Sequence, residues 1–529
     1  MSVGTSSPQA FNPGQGIDWA GRRFGGRCAV VDGSRRLSFL DVQRRSNQIA
    51  NALLAQGLSA GSRVAKLMNN CAEIIEIGFG VTKAGGASIN LHARNSAEEH
   101  IYMLEDSEAE FLFVDEAHRE QVPAIQKTCG YLRHIVGVGW EEEAVAPYER
   151  WIGKASDKDP NIEVTLDGLF HLHYTSGTTG RPKAVVNTHR THRAWMANFF
   201  TNLDSRYGVE DAMVHAGPMT HASYSFIEIT FLRGARNVIL PRFDPELFLD
   251  AVERERGTTT YLVPAMILML LESGRLGRGG VSSLHTINYG AAPISEENLR
   301  RAIEAFGPVF RQVYGLTEAR QPIAVLPPWE HLPDGAPREQ RRLASCGRPA
   351  LGVTLALLDE EGQPVPRGEV GEICVRGDYA MAKYWKDPEA TAATMRGGWV
   401  HTGDLATEDE EGFLYIVDRK KDMIISGGYN IYPAEVERVL CRHPGVAEAV
   451  VIGVPDERWG EAVKALIVLR PGAQADAAEL VRFTRNRIAS HKKPKFIEVV
   501  DNLPKSPQGK ILRREIRDRH WQGRSRKVN

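Results

Sequence analysis

Small hydroxyls, glycine and positive charge are concentrated in one stretch, YTSGTTGRPKAVVNTH, from Tyr174 to His189. Thr175, Ser176, Thr178 and Thr179 surround Gly177 and Gly180, and Arg181 and Lys183 follow. Backbone N–H groups of such a loop can converge on an anion, and glycine permits close approach. Hydroxyls add donors and Lys183 adds a point charge, so a phosphate is a fitting ligand. A Walker P-loop requires GxxxxGK followed by Ser or Thr. Here Gly177 and Gly180 stand too close, Lys183 follows Pro182, and Ala184 follows the lysine, so that motif is excluded. Taken alone, the stretch also reads as an exposed turn rich in Ser, Thr and Gly. Two further runs invite chemistry. VDRKKDMIISGGYNIYP is charged first and glycine-rich after, and SPQGK holds Lys510 in a turn shaped by Pro507 and Gly509.

The elements that must position these runs follow a βα rhythm. CAVVDGSRRLSF reads as a hairpin with Asp32-Gly33 in the turn. Ser38 then caps a helix carrying Phe39, Val42, Ile49 and Leu53 on one face, and Gly57 stops it. Val64 to Met68 reads as a strand, Ala72 to Gly85 as a helix and Phe111 to Val114 as a strand. The rhythm continues through LFHLHY into the opening stretch, then Asn237 to Pro241, Thr259 to Val263 and His285 to Gly290. A largely parallel sheet with helices on both faces is the expectation. Beyond about Leu351 the sequence becomes rich in β-branched residues and turn signals, which predicts an antiparallel region or a small barrel. Pro433 to Asn529 reads as a compact α+β unit of helix, two strands and helix. The fold expected is therefore α/β. A large N-terminal domain, 1–418, carries layered sheets and a barrel-like region, and a small domain, 419–529, follows a boundary near Asp418 to Lys421.

Length and composition agree with a globular chain of two or more domains. The 529 residues exceed what one small core needs. Hydrophobic residues at 42% and charged residues at 25% are ordinary for a soluble globular chain. Lys plus Arg, 65, balances Asp plus Glu, 66, which argues against a dedicated nucleic-acid binder. Six scattered cysteines form no CxxC, so neither a zinc site nor a disulfide framework is expected, and a reducing compartment is. The N-terminus lacks a secretory pattern, KVN is no peroxisomal address, and AMILMLL (Ala265 to Leu271) is too short to span a bilayer. A cytoplasmic protein without a transmembrane segment is expected, with homo-oligomerisation left open.

From about Phe39 to about Ile516 the chain resembles the adenylate-forming superfamily of acyl- and aryl-CoA synthetases, non-ribosomal peptide adenylation domains and luciferases. Six motifs carry the resemblance, in the family's order: YTSGTTGRPK, YGAAPIS (Tyr289 to Ser295), VYGLTEA (Val313 to Ala319), WVHTGDL (Trp399 to Leu405), DRKKDMIISGGYNIYP (Asp418 to Pro433) and PKSPQGKILRR (Pro504 to Arg514). The resemblance implies a carboxylate attacking ATP to give an acyl-AMP and pyrophosphate, then transfer of the acyl group to a thiol. By it, Thr175, Ser176, Gly177, Thr178, Thr179 and Lys183 embrace the β- and γ-phosphates. Gly290, Ala291, Ala292 and Pro293 line the adenine pocket, Tyr314 and Gly315 flank the nucleotide, and Thr317 bonds the α-phosphate. Glu318 holds Mg²⁺, a hard ion suited to carboxylate oxygen. Asp404 and Arg419 reach the ribose, and Lys510 bridges the carboxylate and the α-phosphate. Rotation of the mobile C-terminal domain about a hinge at Lys421 then brings Gly427, Gly428 and Tyr429 to the pantetheine of coenzyme A.

His221, in GPMTHASYS, matches a position beside the substrate carboxylate, with Ser225, Phe226, Ala291 and Gly315 as pocket walls. Arg320 departs from the small residue common in relatives; a solvent-facing side chain is the favoured reading, pairing with a polar or carboxylate tail the other. The resemblance thus implies a CoA ligase using ATP, Mg²⁺ and coenzyme A on a hydrophobic medium-chain, branched, cyclic or aromatic acid. The alternatives are an acyl-AMP ligase that loads a carrier protein, a luciferase-like oxygenase, and a catalytically silent nucleotide-binding protein.

Overall fold

A polar cap starts the first long helix. Ser38 Oγ accepts the Asp41 amide while the Asp41 carboxylate accepts the Ser38 amide, closing a capping box ahead of Phe39–Ala55. Phe39, Val42, Ser46, Ile49 and Leu53 recur at helical spacing and are buried. The next helix, Ala72–Lys83, approaches so closely that a Cβ on Gly80 would lie 2.5 Å from Ile49. One core cluster joins these helices to two sheets, through Ala29, Val30 and Ile239 on one side and Val64, Phe113 and Val136 on the other. These features come from a computed structural model that describes residues 9–10, 12–175, 182–202, 207–276, 280–427, 429–485, 487–505 and 511–522.

The first sheet has eight strands. Arg63–Leu67, Ala87–Leu91 and Leu169–Thr175 run parallel in its middle, and Leu169–Thr175 pairs antiparallel with Lys183–Thr188, setting Thr175 opposite Lys183. The second sheet has nine strands. Its parallel centre is ordered Cys28–Asp32, Arg236–Ile239, Ala212–His215, Thr259–Leu262, Thr286–Gly290, Phe310–Tyr314, with antiparallel strands at both edges. The third sheet is antiparallel throughout: Thr354–Leu358, Gly371–Arg376, Met395–Arg396, Trp399–Glu408 and Leu414–Arg419. A fourth sheet holds Ile424–Ser426, Tyr429–Ile431, Val446–Asp456, Gly460–Leu469 and Phe496–Val499 around a separate core that includes Val436, Leu440 and Leu480. The chain passes from the third sheet to the fourth between Arg419 and Ile424.

Two local expectations shift. Asp32 pairs with Arg35, so the hairpin turn is Gly33-Ser34, with Gly33 at φ +58°, and not Asp32-Gly33. Asp32 is free to accept the Ala72 amide at 2.9 Å and start the next helix. The apolar run Ala265 to Leu271 lies in the helix Pro264–Glu272, which buries Ile267 and Leu270 and exposes Met269. Among the described residues no helix is long and apolar enough to cross a membrane.

Candidate active site

The second and third sheets meet at Asp404. Tyr314, ending the Phe310–Tyr314 strand, donates its hydroxyl to Asp404 Oδ2 at 2.7 Å. Arg419, ending Leu414–Arg419, donates Nε to Asp404 Oδ1 at 3.0 Å. Asp404 is 5% exposed, so its carboxylate sits in a poorly solvated place, which Arg419 reaches from the surface. Burial, and then the Asp404 charge, pushes the Tyr314 hydroxyl well above its ordinary range. The Asp404 carboxylate raises the Arg419 guanidinium further. Three residues from three motifs, more than 100 positions apart at the extremes, are thus one hydrogen-bonded unit.

The strand beside Tyr314 ends in glycine for steric reasons. A Cβ on Gly290 would lie 2.3 Å from Val313 O, and one on Gly315 would lie 2.6 Å from Gln321 Cα. Ala291 then takes φ +66°, a left-handed conformation uncommon for a residue with a Cβ. Ala291 and Pro293 are exposed and Ala292 is half-buried, so this edge is open to contact. Strain of this kind collects at ligand sites.

Beyond Gly315, Thr317 and Glu318 are half-buried in a turn. Glu318 O accepts the Met381 amide at 2.8 Å, and a bridge pairs Ala319 with Ala380. Tyr384 donates its hydroxyl to Glu318 Oε1 at 2.7 Å. Lys183 lies 5.5 Å from the Tyr384 ring centre and 3.2 Å from Asp387 Oδ2. One tyrosine therefore links the cation and the carboxylate, ring to Lys183 and hydroxyl to Glu318. Among the described residues Tyr384 is the hydrogen-bond partner of the Glu318 side chain, which leaves Oε2 suited to a hard cation. Asp387 also caps the helix Pro388–Thr394 through the Ala390 amide. Asp387 and Tyr384 were not singled out from the sequence. Ser176, Gly177, Thr178, Thr179, Gly428 and Lys510 lie outside the described residues.

His221 is half-buried and bordered by two histidines, with ring centres 4.9 Å from His92 and 5.6 Å from His173. Burial pulls His92 and His173 down to about 4, with Arg320 adding to the effect at His173. The favoured solvent-facing reading of Arg320 does not hold. Its guanidinium lies 3.8 Å from the Trp195 ring centre, and its Nη1 lies 3.4 Å from His192 Nδ1. Burial lowers this guanidinium to about 10, which leaves it charged at neutral pH.

In the fourth sheet Gly427 takes φ +58° and donates its amide to Trp459 O at 2.8 Å, while a Cβ there would lie 2.6 Å from the Trp459 ring. Tyr429 is exposed and stacks on His491 at 4.6 Å. The C-terminal basic run is not uniformly solvated: Arg513 turns inward to Glu437 and Asp418. Lys421 sits in the turn Lys420–Asp422 that leads into this sheet, and burial lowers its ammonium.

A family model for AMP-binding enzymes matches residues 17–385, and one for the AMP-binding enzyme C-terminal domain matches 435–510. The chain is an AMP-binding enzyme. Curated relatives span almost all of this AMP-binding enzyme. A medium/long-chain-fatty-acid–CoA ligase, FadD8 of Mycobacterium tuberculosis, is 38% identical over 96% of this chain and 90% of its own. A feruloyl-CoA synthase of an Amycolatopsis species is 38% identical over 93% and 95%. A fatty acid–[acyl-carrier-protein] ligase, ScoC of Streptomyces coeruleorubidus, is 38% identical over 95% of each. Among solved structures, ATP-bound MatB from Rhodopseudomonas palustris superposes with a TM-score of 0.86 at 29% identity, over 96% of this AMP-binding enzyme and 99% of that chain. The amide bond synthetase McbA from Marinactinospora thermotolerans gives 0.85 at 29% identity, over 95% and 99%.

Proposed function

We propose that this enzyme is an ATP-dependent acyl-CoA synthetase, acting on a hydrophobic carboxylic acid of the fatty or aromatic kind. The observation that carries the reading is the Tyr314–Asp404–Arg419 unit, set against the Gly290–Pro293 edge. A carboxylate is a poor electrophile, because its charge repels nucleophiles and its leaving group is bad. Joining it to AMP removes both obstacles, provided that the site holds the nucleotide and shields phosphate charge.

The residues are assigned accordingly. The Tyr314 ring and the Gly290–Pro293 edge take the adenine, with Gly315 beside them. Asp404, whose oxygens keep lone pairs beyond those given to Tyr314 and Arg419, accepts the ribose hydroxyls. Thr317 bonds the α-phosphate. Lys183 exchanges Asp387 for the β- and γ-phosphates, together with Thr175, Ser176, Gly177, Thr178 and Thr179. Glu318 would hold Mg²⁺, which when bound neutralises phosphate charge. His221 orients the substrate carboxylate, and Lys510 bridges it to the α-phosphate. Gly427, Gly428 and Tyr429 receive coenzyme A after the domain beginning at 419 turns about Lys421. A cytoplasmic location belongs to this reading.

The names of the fatty-acid and feruloyl ligases support acyl and aryl acids as the substrate range. The similarity to the acyl-carrier-protein ligase favours a second reading, in which the thiol belongs to a carrier protein. One experiment tests both: purified enzyme, Mg-ATP and a broad acid panel, with either coenzyme A or a phosphopantetheinylated carrier protein. AMP release that requires both an acid and coenzyme A is expected. Release only with the carrier would select the second reading. Absence of acid-dependent release while ATP still binds would refute both.

A further inference from the structure

Parallel strands covered on both faces are ordinarily apolar. One face of the eight-stranded sheet departs from this. Side chains on a strand alternate, so Lys66, Ser88, Asn90, His171 and His173 share a face across three adjacent strands. The opposite face, with Ala65, Leu67, Ile89, Leu91 and Leu172, is apolar core. The polar face lies toward the carboxyl ends of the parallel strands, where open α/β sheets place ligands.

Lys66 Nζ donates to Ser88 Oγ at 2.8 Å and stands 5.0 Å from the Tyr224 ring centre. Burial with no counter-charge pulls this ammonium down to about 7. Arg320 reaches its acid neighbour Glu228 only through His192, whose Nε2 lies 3.1 Å from Glu228 Oε2. Guanidinium has five N–H donors, and among the described residues Arg320 has a hydrogen-bond partner for one of them. Arg320, His173 and Tyr224 lie deep in the fold yet, like Glu228, each retains part of its surface. Among the described residues, the Asn90 amide, His171 Nε2 and His92 Nε2 are buried without a protein partner. Buried polar atoms are normally satisfied, so several orphans on and beside this polar face point to a ligand.

We propose that this face reads the far end of the acid substrate: Arg320, backed by Lys66 and Tyr224, takes an oxygen acceptor there, on an otherwise hydrophobic body. The inference rests on the synthetase reading and narrows its substrate class to acids carrying a distal carboxylate, phenol or keto oxygen. Among the described residues the acid beside Arg320 is Glu228, whose Oε2 lies 3.1 Å from His192 Nε2, so the guanidinium keeps donors for an added acceptor.

The test uses the full-length enzyme and three acids of one carbon skeleton: unsubstituted, distally hydroxylated and distally carboxylated. For each, kcat/KM for AMP release is measured in wild type, Arg320→Ala and Arg320→Lys. Wild type is expected to prefer an oxygen-tailed acid, and Arg320→Ala to collapse that preference ratio by about 10–100-fold, chiefly through KM. Partial recovery in Arg320→Lys with the carboxylated acid alone would assign the acceptor as anionic. A ratio unchanged by Arg320→Ala would overturn the proposal and leave the synthetase reading intact. If no acid of a broad panel releases AMP with either thiol acceptor while ATP still binds, the synthetase reading falls. A thermal shift by the tailed but not the plain acid, lost in Arg320→Ala, would still uphold this site, and no such shift would overturn it.

Discussion

Replacing Asp404 with Asn changes one charge at nearly constant shape, and its consequences can be worked through bond by bond. Asp404 accepts from Tyr314 and Arg419 on separate oxygens. An amide can keep its oxygen on Arg419 only by turning its NH₂ toward the Tyr314 hydroxyl, which must then accept. Losing a charge-assisted bond to a buried carboxylate costs about 1.5–3 kcal/mol. The Arg419 pair adds less, because that side chain is 52% exposed and solvent screens it. A modest drop in Tm is therefore expected. The proposed ribose contact suffers separately. A carboxylate that accepts two hydroxyls becomes an amide that accepts one, so ATP should bind about 10–100-fold more weakly. Calorimetric titration of ATP and a melting curve on Asp404→Asn and Tyr314→Phe separate the effects. Tyr314→Phe removes the same protein bond but keeps the carboxylate and the ring, so its Tm should fall with a smaller loss of ATP affinity. If Asp404→Asn binds ATP within twofold of wild type, or if both variants lose affinity equally, Asp404 holds the sheets together and does not hold the nucleotide.

The remaining predictions address other parts of the site. The Lys66 ammonium is depressed from 10.5 to about 7, so the unfolded chain holds the extra proton between these values and stability should rise with pH across that window, by at most about 5 kcal/mol. Melting curves of wild type and Lys66→Met should therefore converge between pH 7 and 10, and a constant gap would refute this. Asp387→Asn keeps an acceptor for the Ala390 amide and releases Lys183, so inorganic pyrophosphate should bind about two- to fivefold tighter by calorimetry. Gly290→Ala drives a Cβ against Val313 O and should cost about 1–3 kcal/mol in denaturant melts, whereas Ala291→Gly relieves the left-handed residue and should not destabilise. Lys510→Ala should abolish adenylation but still convert supplied acyl-AMP and coenzyme A to thioester; equal loss of both half-reactions would count against two working conformations.

Motif residues were legible because each demands a residue type. Gly290 and Gly315 admit no Cβ, and a ribose-binding acid or a phosphate-binding lysine has few substitutes. Their partners were not legible, since partnership is fixed by strand pairing between distant segments. Lys183 meets Tyr384 and Asp387 because Lys183–Thr188 pairs with Lys383–Tyr384, a register that no local pattern announces. The same holds for the Asp32-Gly33 turn, where one residue of register decides whether Asp32 turns or caps. The polar face did leave a signal that went unread. In LFHLHY the histidines alternate with apolar residues, the period of a strand with one polar side, and that strand continues directly into the glycine-rich stretch.

Arg320 shows why charge alone misleads. A charged residue after a motif is ordinarily solvated. Yet Ala319 is buried and bridges Ala380, and the next residue, Arg320, packs on Trp195 and reaches His192. The proposed specificity group and the proposed metal ligand thus leave one short segment, which ties the choice of acid to the turn that is proposed to hold the metal.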